Sequence, residues 1–141
     1  MVMKHLIVYI TICFIALSGC SEQEIGYLQT ENAKYDPAMM DIRLVLDEEL
    51  DAYRIFNVAP WVSPKIQGVV GTNPMIFQIE DVVSEDGDAE MFKALLTVRG
   101  GGRMEFPLVS DIPAGKYVVS LRVSNEGHTH ILKNVFTFNV K

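Results

Sequence analysis

From Tyr117 to Ser124 the chain alternates without a break: Tyr117, Val119, Leu121 and Val123 point one way, while Val118, Ser120, Arg122 and Ser124 point the other. Successive side chains leave opposite faces of an extended strand, so this period-two pattern predicts a strand with one buried face. Asn125-Glu126-Gly127 supplies a turn, and Phe136, Phe138 and Val140 then alternate with Thr137, Asn139 and Lys141. The last third of the chain is therefore expected to be β, and that limits what the remainder can pack against.

The segment upstream carries the same punctuation. Met40, Ile42, Leu44 and Leu46 alternate with Asp41, Arg43 and Asp47, a half-buried strand. Each proline of Pro60-Trp61-Val62-Ser63-Pro64 biases its predecessor away from the helical region, so that run is extended. Lys65–Val70 and Met75–Val83 read as strands separated by the turn Gly71-Thr72-Asn73-Pro74. Glu85-Asp86-Gly87-Asp88 holds Asp-Gly, a hairpin signal, and is followed by expected strands at Lys93–Arg99 and Arg103–Leu108. Residues 47–57 read equally as a helical turn or a loop. Short strands with turn signals every 8–12 residues or so predict an all-β fold, an antiparallel β-sandwich over residues 40–141.

Ala114-Gly115-Lys116-Tyr117-Val118-Val119-Ser120-Leu121-Arg122-Val123, the turn at Asn125-Glu126-Gly127, and Phe136-Thr137-Phe138-Asn139-Val140 resemble the end of bacterial Ig-like domains of the cadherin or dystroglycan type. Met75–Ile79 and the Asp86-Gly87-Asp88 turn are similar to an earlier strand and loop of those domains. The resemblance covers about residues 60–141 and implies an Ig-like (cadherin-like) sandwich.

The N-terminus reads as an address. Lys4 and His5 precede the apolar run Leu6–Leu17, which is shorter than the roughly 20 residues needed to cross a bilayer and fits a signal-peptide core. It ends in Leu17-Ser18-Gly19-Cys20, which resembles the lipobox of bacterial lipoproteins: an aliphatic residue, two small ones, and the cysteine that takes the lipid. That resemblance implies a signal peptide over residues 1–19, cleavage before Cys20, and a membrane held through a lipid anchor. Residues 20–39, beginning Cys20-Ser21-Glu22-Gln23-Glu24, lack periodicity and read as a tether, with Ile25, Tyr27 and Leu28 available to pack as an added strand instead. Ser21 is not the aspartate associated with inner-membrane retention, so the sorting rules imply the outer membrane, with either face open. In overall architecture the chain resembles the small Ig-like lipoproteins that accompany outer-membrane glycan-uptake systems.

Composition removes several functions. The net charge is −6, with 12 basic against 18 acidic residues, and the Lys/Arg clusters that grip nucleic acid are missing. Of the two cysteines, Cys13 leaves with the signal and Cys20 is lipidated, so a mature chain has no thiol for a disulfide, a metal or nucleophilic catalysis. Gly100-Gly101-Gly102 is not followed by Lys-Ser/Thr, so it is no phosphate-binding loop, and no G-x-S-x-G is present. The expectation is a protein that is not an enzyme and has no cofactor.

Four groups remain as candidates. Tyr117, at the start of a strand after Pro113-Ala114-Gly115, fits a tyrosine corner, a structural role. The acids from Glu80 to Glu90 raise calcium, but their spacing is not that of an EF-hand, so a solvated hairpin tip is expected. His128 and His130 would share one side of an extended segment, yet structural zinc wants four ligands and only Glu126 is near, so a pair of exposed hairpin-loop histidines is expected. No metal site is expected from either. Trp61, Tyr53 and Phe56 stand outside the clear alternation and are the residues to test for ligand binding, Trp61 being either a core plug or a stacking platform. The expected function is an accessory binding or adhesion module for a glycan or an envelope protein, the alternative being a structural subunit of an envelope complex.

Overall fold

The computed structural model describes residues 1–5 and 25–141. The lipobox, Cys20 and residues 21–24 lie outside the described residues. The strands are β1 (Leu28–Gln29), β2 (Met39–Ile42), β3 (Trp61–Val62), β4 (Val70–Gly71), β5 (Ile76–Val83), β6 (Thr97–Arg99), β7 (Arg103–Phe106), β8 (Gly115–Asn125) and β9 (His128–Val140). Two short α-helices, α1 (Ala52–Asn57) and α2 (Ala89–Leu95), and a 3-10 turn at Gly100–Gly102 interrupt them. The fold is all-β in character.

β8 and β9 form a long hairpin that organises the larger sheet, whose order is β2-β9-β8-β5. A second sheet of order β3-β7-β6 lies apart from it, and β1 pairs with β4 as a small third. Tyr117, Val119, Leu121, Phe136, Phe138 and Val140 from the large sheet meet Trp61, Met104 and Phe106 from the second in one buried cluster. The alternation of Tyr117, Val119, Leu121 and Val123 is thus a single buried face, as the period-two pattern requires.

Ser120 marks an irregularity that runs across three strands. On one side β5 carries an extra residue, since Ile79 pairs with Leu121 and Asp81 with Ser120, leaving Glu80 between them. The bulge changes the inward parity of β5 from Phe77 and Ile79 to Val82. On the other side residues 133–135 of β9 face Ser120 alone, with Asn134 at φ 52° and its N–H bonded to Ser120 Oγ at 2.9 Å. Adding two residues preserves parity, so Leu132, Phe136, Phe138 and Val140 still point inward.

Several expectations need correction. The larger sheet is not wholly antiparallel, because β2 runs parallel to β9. The arm before it reaches the sheet running in the same direction as β9, and no tight turn joins the two strands. Lys93–Leu95 is helical rather than extended, and only Thr97–Arg99 of that segment is a strand. Asp88 is the reason: its carboxylate accepts the Met91 N–H at 2.9 Å and caps α2, which turns Phe92 into the core. Asp86-Gly87 therefore leads into a helix and not into a hairpin. Lys65–Val70 is mostly irregular, touching a ladder only at Val70 and in an isolated Lys34–Gln67 bridge. Residues 47–57, open between turn and loop, contain α1. Leu28 and Tyr35 are buried, so residues 28–35 pack on the domain with Leu28–Gln29 as an added strand.

Tyr117 makes the corner expected of it. Its buried hydroxyl donates to Pro113 O at 2.7 Å and accepts the Asp88 N–H at 3.2 Å, tying the start of β8 to the cap of α2. Burial raises its pKa. Gly87 lies so close that a Cβ there would sit 2.0 Å from the hydroxyl oxygen. Tyr117→Phe is expected to lower stability by about 1–2 kcal/mol, the cost of stranding a buried N–H and carbonyl. Gly87→Ala is expected to cost more, roughly 3 kcal/mol, because the ring is stacked and cannot retreat. Urea unfolding of both variants checks the order.

Candidate functional site

Of the residues singled out for binding, the structure separates Trp61 from Tyr53 and Phe56. Trp61 is 3% exposed and belongs to the core, so it offers no face to a ligand. β3 pairs with β7 through Trp61 and Phe106, which aims the indole inward. The Arg54 guanidinium covers the ring at 4.1 Å from its centroid, and that of Arg43 lies at 5.4 Å. A guanidinium over an indole face is attracted by the ring quadrupole, so the lid is electrostatic as well as steric. The stacking-platform reading of Trp61 is corrected on this ground.

Tyr53 and Phe56 lie on α1 and are 78% and 88% exposed. Leu50 at 76%, Val45 at 86% and an exposed Val58 accompany them, none of which stands out in the sequence pattern. Asp51 N–H bonds Asp47 O and Ile55 N–H bonds Asp51 O, both at 2.8 Å, so helical spacing runs from residue 47 into α1. Positions 50, 53 and 56 then share one side of the turn. Their three-residue spacing was the available signal. It was masked because the segment is short and the apolar side chains face outward.

What makes the segment rigid is a buried carboxylate. Asp51 accepts two hydrogen bonds from Arg43, the Nε one at 2.9 Å, and another from the Asp47 N–H at 3.0 Å. Arg54 Nε lies 3.9 Å from the same carboxylate, and its Nη1 donates to Pro60 O at 2.9 Å. Asp47 in turn accepts the Glu49 and Leu50 N–H groups, closing the turn before α1. Hydrogen bonding from Arg43 holds the Asp51 carboxyl below its ordinary value of 3.8, against the opposing effect of desolvation.

The other candidates are occupied with structure. Asp88 caps α2, Ser84 Oγ accepts the Gly87 N–H, and Glu80 pairs with Arg122 at 2.7 Å. His130 Nδ1 is hydrogen-bonded to Thr30 Oγ1 at 2.8 Å and fastens the arm, while His128 Nδ1 lies 3.3 Å from Glu126 O. Among the described residues no three His, Cys, Asp or Glu side chains are grouped to hold a metal. Among the described residues the surface has shallow depressions. One of about 430 Å³ follows the bulges at Glu80, Ser120 and Asn134, where Arg122 already holds the Glu80 carboxylate. Among the described residues no helix is long and apolar enough to cross a membrane. Compared with protein-family models, curated proteins and solved structures, the chain matches none.

The depressed pKa of Asp51 has a consequence for stability. A carboxylate whose folded pKa lies below its unfolded value stabilises the fold above the unfolded pKa, and that contribution disappears as pH falls through the folded one. Asp51→Asn is therefore expected to lower Tm clearly at pH 7, with the gap to the parent protein closing below about pH 4. Thermal melts from pH 7 to pH 2.5 check this. A gap that stays constant would assign the loss to geometry rather than charge.

Proposed function

We propose that the protein is a non-enzymatic, lipid-anchored module of the bacterial outer membrane, an Ig-like sandwich that presents a binding surface to a partner. The observation that carries this reading is the exposed apolar surface around Tyr53 and Phe56, held in place from beneath by Asp51, Arg43 and Arg54. Water-exposed aromatic and aliphatic side chains gathered on one rigid segment are the usual mark of an interaction site. The anchor rests on Leu17-Ser18-Gly19-Cys20 and the apolar run before it.

The direction of the chain supports a division of labour. It joins the domain beside Asn125, whose side chain donates to Tyr27 O, at the turn end of the β8–β9 hairpin. The segment after β2 leaves at the other end, where the Leu44 N–H bonds Lys141 O just past the end of β9. Those ends are separated by the length of β8, Gly115–Asn125, on the order of 30 Å at the usual rise per strand residue. An anchor on Cys20 would thus leave the apolar surface facing away from the membrane that holds it. The alternative, an assembly subunit of an envelope complex, would use the same surface permanently rather than reversibly.

Cys20→Ser is expected to abolish labelling by radioactive palmitate and to move the protein from the membrane to the soluble fraction. Several acyl chains, each CH₂ worth about 0.8 kcal/mol when buried, account for attachment without a spanning helix. Unchanged mobility and membrane retention in that variant would overturn the anchor. Hydrolysis of any polysaccharide by the purified domain would overturn the non-enzymatic reading.

A further inference from the structure

The geometry points to a protein partner for this surface: Val45, Leu50, Tyr53, Phe56 and Val58 dock into an apolar groove with a basic rim on another envelope protein. This deepens the proposed function and rests on it, since it names the chemistry of what the module binds.

The concentration of apolar exposure comes first. Seven exposed large apolar side chains fall within residues 44–58, on one turn-helix-turn segment. No residue of α1 is buried, so the helix contributes nothing to the core with its own side chains apart from the Arg54 lid on Trp61. It is nonetheless fixed: Asp51 is held by two arginines and two backbone turns, and the Ala59 N–H returns to Arg54 O at 3.0 Å. A pre-ordered apolar knob loses little conformational entropy on docking, and aromatic residues at its centre are the residue type that dominates interface energetics.

The surroundings choose among occupants. Val45, Leu50, Phe56 and Val58 carry no side-chain hydrogen-bonding group and Tyr53 carries one, so a partner's apolar side chains cover this surface more completely than a sugar's hydroxyls would. Asp47, Glu48 and Glu49 are exposed between Val45 and Leu50. The two cations within residues 43–58, Arg43 and Arg54, are engaged by Asp51, and Lys141 beside Leu44 is paired with Asp41. The apolar surface therefore has an acidic border. A second copy would bring these carboxylates against their own kind, and an anionic lipid surface would be repelled in the same way. With the proposed anchor on Cys20, position also disfavours the anchoring membrane as occupant, because the surface stands at the end of the domain opposite Tyr27. A groove lined by apolar residues and bordered by Lys or Arg satisfies both the centre and the rim.

The test is site-specific photocrosslinking in the cells that make the protein, with p-benzoylphenylalanine replacing Phe56, Tyr53 or Leu50 in the full chain and Ile131 as the control position. One protein is expected to crosslink at the three positions and not at 131. Once identified and purified, it is expected to bind the parent chain with an affinity that Phe56→Ala weakens at least tenfold. Glu48→Lys with Glu49→Lys, and added salt, are expected to weaken it as well. Phe56 is solvent-exposed, so an unchanged Tm in Phe56→Ala shows that folding is not the cause. Equal crosslinking at 131, adducts to lipid or to a second copy, or binding indifferent to Phe56→Ala would overturn the inference. So would glycan-array binding that Phe56→Ala abolishes, which would leave the proposed binding function standing. If Cys20→Ser still releases the protein while position 56 captures nothing, the anchor holds and the docking inference falls.

Discussion

Phe92 is the side chain on which the two sheets depend. It leaves α2 and lies between Phe106 of the second sheet and Tyr117 of the large one, with ring centroids 4.4 and 4.3 Å away and both pairs inclined by only 12°. Phe138 meets it at 5.3 Å and is itself packed edge-on by Phe136, which touches Tyr35. Rings in these offset and edge-on arrangements add about 0.5–1.5 kcal/mol per pair beyond the area they bury. One helical residue thus packs against both sheets at once. Asp88, as the cap that starts α2, and Tyr117, as the ring and hydroxyl that receive it, are parts of the same joint.

The second organising feature is a charge taken out of water. Asp51 is buried, and its carboxylate is met by Arg43, Arg54 and the Asp47 N–H, with Arg43 hydrogen bonding holding its pKa down. Such a pair is a poor source of net stability, since desolvation offsets much of the attraction. What it does provide is geometry. The two guanidiniums that neutralise Asp51 also roof Trp61, so the core is closed and the 44–58 segment is positioned by one set of contacts. The apolar outer side of that segment is left free because its inner side is satisfied by polar groups.

The strands were legible where a run of alternation met no interruption. Tyr117 to Val123 could be read because a strand's two faces see opposite environments, and the single residue bulge at Glu80 explains why Met75–Val83 was readable only as a strand and not by face. His128 to Val135 carried no clean signal, because Asn134 turns out of the ladder within it. At Lys93–Leu95 the local pattern of apolar residues fits a strand as well as a helix, and the Asp88 cap decided for the helix. Among candidate site residues, Tyr53 and Phe56 stand outside the alternation, Leu50 is legible only through its three-residue spacing from them, and Val45 and Val58 carry no periodic signal.

The sequence by itself determined the β character, the turn and alternating strands of the last third, and the role of Tyr117. Each of these is a local property: side-chain period or turn chemistry. Only the tertiary structure decided that β2 runs parallel to β9, that Phe92 bridges the sheets, and that Trp61 is inside while Tyr53 and Phe56 are outside. Those outcomes depend on partners far away in sequence, above all Phe106 and Tyr117 for Phe92, and Phe106 for Trp61. An aromatic residue carries the same apolar area wherever it stands, and whether it is buried depends on which surface the rest of the chain brings to meet it.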